Sequence, residues 1–258
     1  MKKTLTLTLE MLAGDIPCLV AAPLNLAPEA PLVFVLHGLG SRKEKMLTAL
    51  YELASTGLRA VALDARLHGE RADAGERDAR LTRDYFGATS EMIEGTTQDI
   101  SRLLDHFAPT RAGIHGISLG GYITFAALLT EPRLAAASVA LGSPDWLGPL
   151  RRFGLGPGHP AWDRAAALNP LELLPTVMPP RPLLMLHGTA DSVVPVDGVI
   201  ALEEKLRPLY ASAPDRLKLQ LYPDLGHDYP DDMLARTCAW FERFLLGDEL
   251  LGTLASAV

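Results

Sequence analysis

Gly116-Ile117-Ser118-Leu119-Gly120-Gly121 sets one serine between small residues, as G-x-S-x-G with one more glycine. An apolar strand-like segment precedes it and an apolar helix-like segment follows. A chain that passes from strand to helix without a loop must turn sharply. The residue at the apex takes a strained backbone, so its neighbours must be small. The serine oxygen is then presented at a helix N-terminus, where free amides and the helix dipole favour developing negative charge. Serine is a weak nucleophile at neutral pH and needs a base. Of the seven histidines, His227 in Leu225-Gly226-His227-Asp228 falls between the last strand-like and the last helix-like segments. That loop should open at the carboxyl edge of a sheet, where Ser118 also sits. A base that becomes cationic needs a carboxylate to orient it, and Asp191 in His187-Gly188-Thr189-Ala190-Asp191 is placed to supply one. Asp145 and Asp224 are its rivals. His37, His115 and His187 each precede a glycine at a strand end and read as packing or hydrogen-bonding groups. His106 reads as a surface residue, and His159 lies in a proline-rich stretch.

An acyl-transfer site also needs donors for an oxyanion. The elbow places the Leu119 N–H, and the Leu39 N–H in His37-Gly38-Leu39-Gly40 is the expected second donor. Losing one such donor typically costs ~10²–10³ in turnover.

The elements that must hold these groups can be read from hydrophobic pattern. Residues 4–10 alternate with period two, as a half-buried strand does. Gly14-Asp15 turns the chain into a hairpin partner at Ile16–Ala22. The continuous apolar run Leu32–Leu36 fits a strand covered on both faces; Leu58–Leu63, Ala112–His115 and Pro182–Leu186 read as further strands, and Leu134–Leu141 as another buried one. Leu217–Tyr222 is a further strand. Helices are expected after Ser41, with Met46, Leu47, Leu50, Leu53 and Ala54 on one face and Gly57 as its stop, then at Met92–Phe107, after Ser118, at Val196–Leu206 and at Pro230–Leu246. Residues 66–90 are charged and irregular and read as a loop or excursion. Residues 142–180, rich in proline and glycine, read as a short lid-like insertion of broken helices. Alternating strands and helices call for a mainly parallel, doubly wound sheet with an antiparallel N-terminal edge. The whole chain, 1–258, reads as one domain.

Composition excludes several alternatives. The chain has 258 residues, 48% hydrophobic and 21% charged, which is ordinary for a globular protein. Lysine and arginine number 24 against 31 aspartates and glutamates, a net charge of −7. An acidic chain with no basic run is a poor nucleic-acid or anionic-membrane binder. Cys18 and Cys238 read as two separate thiols, without the spacing of a metal or redox pair. The histidines do not fall at metal-ligand spacing, and no metal is expected. The Met1-Lys2-Lys3 start runs into a strand pattern instead of an apolar signal core, and no transmembrane run is seen, so a cytoplasmic location is expected. Gly38-Leu39-Gly40 lacks the third glycine of a dinucleotide fingerprint, and no P-loop occurs.

Together these motifs resemble the α/β-hydrolase superfamily, and within it the small bacterial serine esterases of the dienelactone-hydrolase and prolyl-oligopeptidase-like branch. The resemblance covers roughly residues 30–246. It rests on His37-Gly38-Leu39-Gly40-Ser41 with Lys43-Glu44, Asp64-Ala65-Arg66-Leu67-His68-Gly69-Glu70-Arg71, the Gly116–Gly121 elbow, His187-Gly188-Thr189-Ala190-Asp191 with Val194-Pro195, and Gly226-His227. It implies Ser118 as nucleophile, Asp191 as acid and His227 as base, the Leu39 and Leu119 amides as oxyanion hole, and no cofactor. The chain order Ser, Asp, His is the order of that superfamily. Ser118 departs from the cysteine of dienelactone hydrolases proper, which favours ordinary esters. No stretch suits the propeller domain with which prolyl oligopeptidases select peptides.

The expected activity is therefore hydrolysis of short-to-medium acyl esters, small molecules, through an acyl-enzyme. An acyl-peptide hydrolase or aminopeptidase is the second expectation, and a catalytically silent ligand-binding member of the fold the third. His68 or Arg71 could contact substrate or brace a loop, with bracing favoured. Trp146 and Trp162, with Leu147 and Phe153, could line an acyl pocket or pack the insertion down. The oligomeric state is not legible.

Overall fold

The structure, a computed structural model, describes residues 4–72, 74–177 and 180–247. The ends of the 1–258 reading, the Met1-Lys2-Lys3 start and residues 178–179 of the insertion lie outside them.

Eight strands form one sheet: β1 (Leu5–Leu12), β2 (Ile16–Pro23), β3 (Leu32–Leu36), β4 (Arg59–Leu63), β5 (Ala112–Ile117), β6 (Leu134–Ala140), β7 (Leu183–Gly188) and β8 (Leu217–Tyr222). Their order is β1-β2-β4-β3-β5-β6-β7-β8. The β1–β2 and β2–β4 pairings are antiparallel and the rest are parallel. Every residue of β3, β4 and β7 is buried. This is why β3 is a continuous apolar run and why β4 and β7 are apolar apart from Arg59 and His187. The hairpin at the edge differs. Leu7, Leu9 and Met11 stay exposed although their spacing is that of a half-buried strand, because β1 is the outermost strand and little packs on it.

Nine α-helices flank the sheet among the described residues: α1 (Leu47–Thr56), α2 (Ala74–Arg83), α3 (Tyr85–Phe107), α4 (Leu119–Thr130), α5 (Leu147–Arg152), α6 (Pro160–Ala167), α7 (Pro170–Val177), α8 (Asp197–Leu206) and α9 (Asp231–Phe241). The last continues as a π turn over Glu242–Leu246. In α1 the buried face is Ala49, Leu50, Leu53 and Ala54, and Gly57 ends it at φ +121°. Leu47 turns outward instead. α4 is apolar all round because it lies in the core, with Ile123, Phe125, Ala127 and Leu128 buried. Pro230 is the N-cap of α9, one position before its first turn.

The stretch 66–90 is not a loop. A short 3₁₀ turn at Gly69–Arg71 leads into α2, and α3 begins at Tyr85, seven residues ahead of the expected start. Asp84 makes that start, since its side chain accepts the Gly87 amide at 2.8 Å. α2 is too polar for hydrophobic periodicity to reveal it, and pairs such as Arg80–Glu76 hold its exposed face.

Residues 142–180 contain three short helices, α5 to α7. The two ends of this segment are tied to each other by Trp146 N–H to Asn169 Oδ1 at 2.9 Å and Leu171 N–H to Pro144 O at 3.0 Å. Arg164 forks onto Glu94 of α3 at 2.8 and 2.6 Å. Cys18 is buried in β2 and Cys238 half-buried in α9; both are free thiols, and burial pushes each up to about 12. No described helix is long and apolar enough to cross a membrane.

Candidate active site

Ser118 stands between β5 and α4 with φ 56° and ψ −115°, a conformation that L-residues adopt only under constraint. The glycines around it are demanded by contact. A Cβ on Gly116 would lie 2.0 Å from Gly120 O, and one on Gly120 would lie 2.4 Å from Leu36 O. The turn can therefore be this tight only with glycine at both positions.

His227 presents Nε2 at 2.9 Å from Ser118 Oγ and Nδ1 at 2.6 Å from Asp191 Oδ2. The other carboxylate oxygen, Asp191 Oδ1, accepts the Val193 and Val194 amides at 2.9 and 2.8 Å. One oxygen is thus locked to the backbone and the other is aimed at the imidazole. The Asp191 side chain is wholly buried, whereas His227 keeps about a quarter of its side-chain surface open, 23%. The two loops that bring these residues together are laced to each other. Ala190 N–H donates to Leu225 O at 2.9 Å, and Asp224 N–H donates to Thr189 Oγ1 at 2.9 Å. Asp224 and Asp145 do not face the imidazole; Asp145 caps the Leu147 amide and pairs with Arg151.

A second anchor was not legible as such in the sequence. His115, in the strand that leads to Ser118, lies 3.0 Å from the Tyr229 hydroxyl and donates to Ser138 O at 3.1 Å. With Nδ1 donating, Nε2 is the acceptor of the Tyr229 O–H. The strand that leads to Ser118 thereby holds the loop that carries His227, two residues before Tyr229. Burial pushes His115 down to about 4, so its ring stays neutral and this polarity is kept.

The Leu39 and Leu119 amides make no hydrogen bond among the described residues. Leu119 is the first residue of α4, where no intrahelical acceptor exists. The Leu39 loop runs beside the serine: a Cβ on Gly38 would be 3.4 Å from Ser118 Cβ and 3.9 Å from its Oγ. A buried polar frame holds that loop. His37 Nε2 accepts the Ala65 amide at 3.1 Å, and His68 Nε2 accepts the Gly40 amide at 3.0 Å. Burial lowers the pKa of both rings, that of His37 to about 4, which preserves them as acceptors. Lys43, fully buried, reaches Asp64 at 2.8 Å and Glu44 at 3.0 Å, and also bonds Glu70.

His68 and Arg71 both make hydrogen bonds within this loop frame. Arg71 bonds the buried carboxylate of Asp99 at 2.5 Å and Asp64 O at 3.2 Å. The tryptophans divide. Trp146 lines the cavity in front of Ser118, whereas Trp162 lies under the Arg151 guanidinium, 5.7 Å from its ring centre, and is not among the lining residues. Its neighbours on α6, Ala161 and Ala165, face the cavity in its place.

That cavity measures about 390 Å³ and is walled chiefly by apolar side chains from α3, α4 and the insertion, among them Phe86, Ile93, Leu150 and Phe153. Phe153 meets Phe86 edge-on at 5.5 Å and so closes one side. A hollow of about 530 Å³ near the start of β5, lined by Asp105 and Arg133, contains no nucleophile–base pair. Among the described residues no three His, Cys, Asp or Glu side chains gather where a metal ion could sit.

The sequence model of the prolyl oligopeptidase family (Peptidase_S9) matches residues 83–247, more than half of the chain. The chain belongs to that family. YitV of Bacillus subtilis, named as an esterase, is 30% identical over 233 residues, covering 83% of this chain and 89% of YitV. Esterase YjfP of Escherichia coli is 28% identical over 216 residues, covering 75% of this chain and 82% of YjfP. The crystal structure of TT1662 from Thermus thermophilus superposes with a TM-score of 0.75 at 25% identity, covering 94% of this chain and 98% of that one. The fold is the α/β-hydrolase fold, and the chain is an enzyme of hydrolase type.

Proposed function

We propose that this family member is a serine carboxylesterase acting on short-to-medium acyl esters. The observation that carries the reading is the continuous hydrogen-bonded line from Ser118 through His227 to Asp191, opening into an apolar cavity. In this reading Ser118 Oγ attacks the ester carbonyl while His227 Nε2 takes its proton. The carbonyl oxygen becomes an oxyanion held by the Leu39 and Leu119 amides. The imidazolium, stabilised by Asp191, returns its proton to the departing alcohol and leaves an acyl-serine. Water, deprotonated by His227, attacks that ester in turn, releases the acid and restores Ser118. The cavity volume is at the small end for ligand sites, which suits short chains.

Ester substrates are favoured over peptides by the cavity wall. Among the described residues no aspartate or glutamate lines it, so no carboxylate there receives the ammonium of a peptide N-terminus. The names of YitV and YjfP point the same way.

A fluorophosphonate probe tests the assignment. One adduct on the Ser118 peptide, formed in step with loss of p-nitrophenyl butyrate hydrolysis, is the expected result. A protein inert to the probe would mark a silent ligand-binding member of the fold. An aminoacyl p-nitroanilide cleaved faster than the butyrate would reassign it as an aminopeptidase.

His68→Ala tests the loop frame. The Gly40 amide then loses its acceptor and the loop presenting Leu39 N–H loosens, a small displacement of a kind that costs roughly ten- to a hundredfold in rate. The expected signature is a lower kcat with KM within about twofold, because the cavity wall is untouched. A raised KM at constant kcat would instead make His68 a substrate contact.

A further inference from the structure

The cavity in front of Ser118 is electrically one-sided. Among the described residues its only charged lining residue is Arg152, at the end of α5. The flanking arginines of the insertion are engaged: Arg151 with Asp145, and Arg164 with Glu94. Arg152 is exposed, and it makes no ion pair or hydrogen bond among the described residues.

A second group faces the same space. Tyr122 lies one helical turn beyond Ser118 on α4 and lines the cavity. Its hydroxyl has no hydrogen-bond partner among the described residues. Burial raises its pKa; the Asp145 and Asp191 charges push the same way, and Arg152 opposes them. Tyr122 is therefore a protonated phenol whose O–H lacks a protein acceptor. A bound ligand that brings an acceptor would pair with this O–H, and an alkyl chain would not. Both groups donate, and neither is offset by a carboxylate in the wall.

We propose that Arg152 and the Tyr122 hydroxyl form an anion-reading end to this cavity, and that the preferred substrates are esters whose chain ends in a carboxylate. The planar guanidinium fork matches a carboxylate with two parallel hydrogen bonds, and the phenol adds a third donor. The apolar walls between these groups and Ser118 take the methylenes of the chain. This inference rests on Ser118 as the nucleophile.

The test compares mono-p-nitrophenyl adipate with its neutral methyl ester, p-nitrophenyl methyl adipate, in the full chain at low ionic strength. Both release p-nitrophenol, and the readout is the ratio of their kcat/KM values after subtraction of uncatalysed hydrolysis. Damage to the fold or to the chemistry lowers both terms alike and leaves the ratio in place. The expected wild-type ratio is about ten in favour of the anionic ester, the size of one charge-assisted interaction at a partly exposed site. It should shrink with added salt. Arg152→Ala should bring the ratio to about one, Arg152→Glu should invert it, and Tyr122→Phe should reduce it about threefold. A wild-type ratio at or below one, or a ratio that Arg152→Ala and Arg152→Glu leave unmoved, overturns the proposal while the esterase reading stands. Turnover of neither substrate, with no fluorophosphonate adduct, removes the esterase reading itself and this inference with it.

Discussion

Ser118→Ala is expected to lower kcat for p-nitrophenyl butyrate by roughly 10⁵–10⁶-fold, the range found when a serine nucleophile of this type is removed. The substitution deletes one oxygen and keeps the Cβ, so the tight turn between β5 and α4 is left as it is. Ser118 Oγ bonds only the His227 ring among the described residues, and no packing depends on it. The melting temperature should therefore stay within about 2 °C of wild type, a shift of under roughly 1 kcal/mol for a chain of this size. What remains of the rate would come from the Leu39 and Leu119 amides and from binding. The measurement is a paired one, steady-state kinetics and thermal melting on the same preparation. A variant that keeps more than about 1% of wild-type kcat, free of contaminating enzyme, removes Ser118 from the mechanism.

Lys43→Met is expected to carry the largest stability cost, about 3–5 kcal/mol at pH 7.5, the usual penalty for breaking a buried ion pair from one side. Lys43 and Asp64 are both fully buried, and the ammonium also serves Glu44 and Glu70. Burial opposes the charge on Lys43, but hydrogen bonds to the three carboxylates outweigh it and raise its pKa. A raised lysine pKa means that the contribution is present throughout the neutral range and is lost only in strong alkali. Methionine fills similar volume and leaves Asp64 buried without its cation, beside two further carboxylates. Such a carboxyl is driven toward its neutral form. The deficit should therefore narrow as pH falls below about 5, where carboxyl groups protonate. Urea unfolding at pH 7.5 and 5 checks this, and adding Asp64→Asn to the variant should recover part of the loss. A deficit below about 1 kcal/mol at pH 7.5 would show that solvent screens the pair.

This pair also explains why some of the site could not be read from the chain. Lys43, Asp64 and Glu70 are separated by stretches of sequence whose pattern says nothing about charge pairing. Only the crossing of the β3 and β4 loops brings them together. The same crossing puts His68 under Gly40, while Arg71 is held by Asp99 of α3. α2 escaped notice because its surface is polar all round. The start of α3 escaped because an aspartate cap, not a hydrophobic period, determines where that helix begins. Trp146 and Trp162 had equal claims on the cavity until the short insertion helices gave each a direction.

The sequence alone determined the alternation of strands and helices, the antiparallel edge and the elbow, because apolar runs and obligatory glycines are local consequences of burial and backbone sterics. It also put a serine, an aspartate and a histidine at strand ends in the expected order. Which atoms meet was decided by tertiary structure. The 2.6 and 2.9 Å contacts of His227 depend on loops joined through Thr189, Ala190, Asp224 and Leu225. The one-sided wall of the cavity depends on three helices whose mutual packing no local pattern encodes.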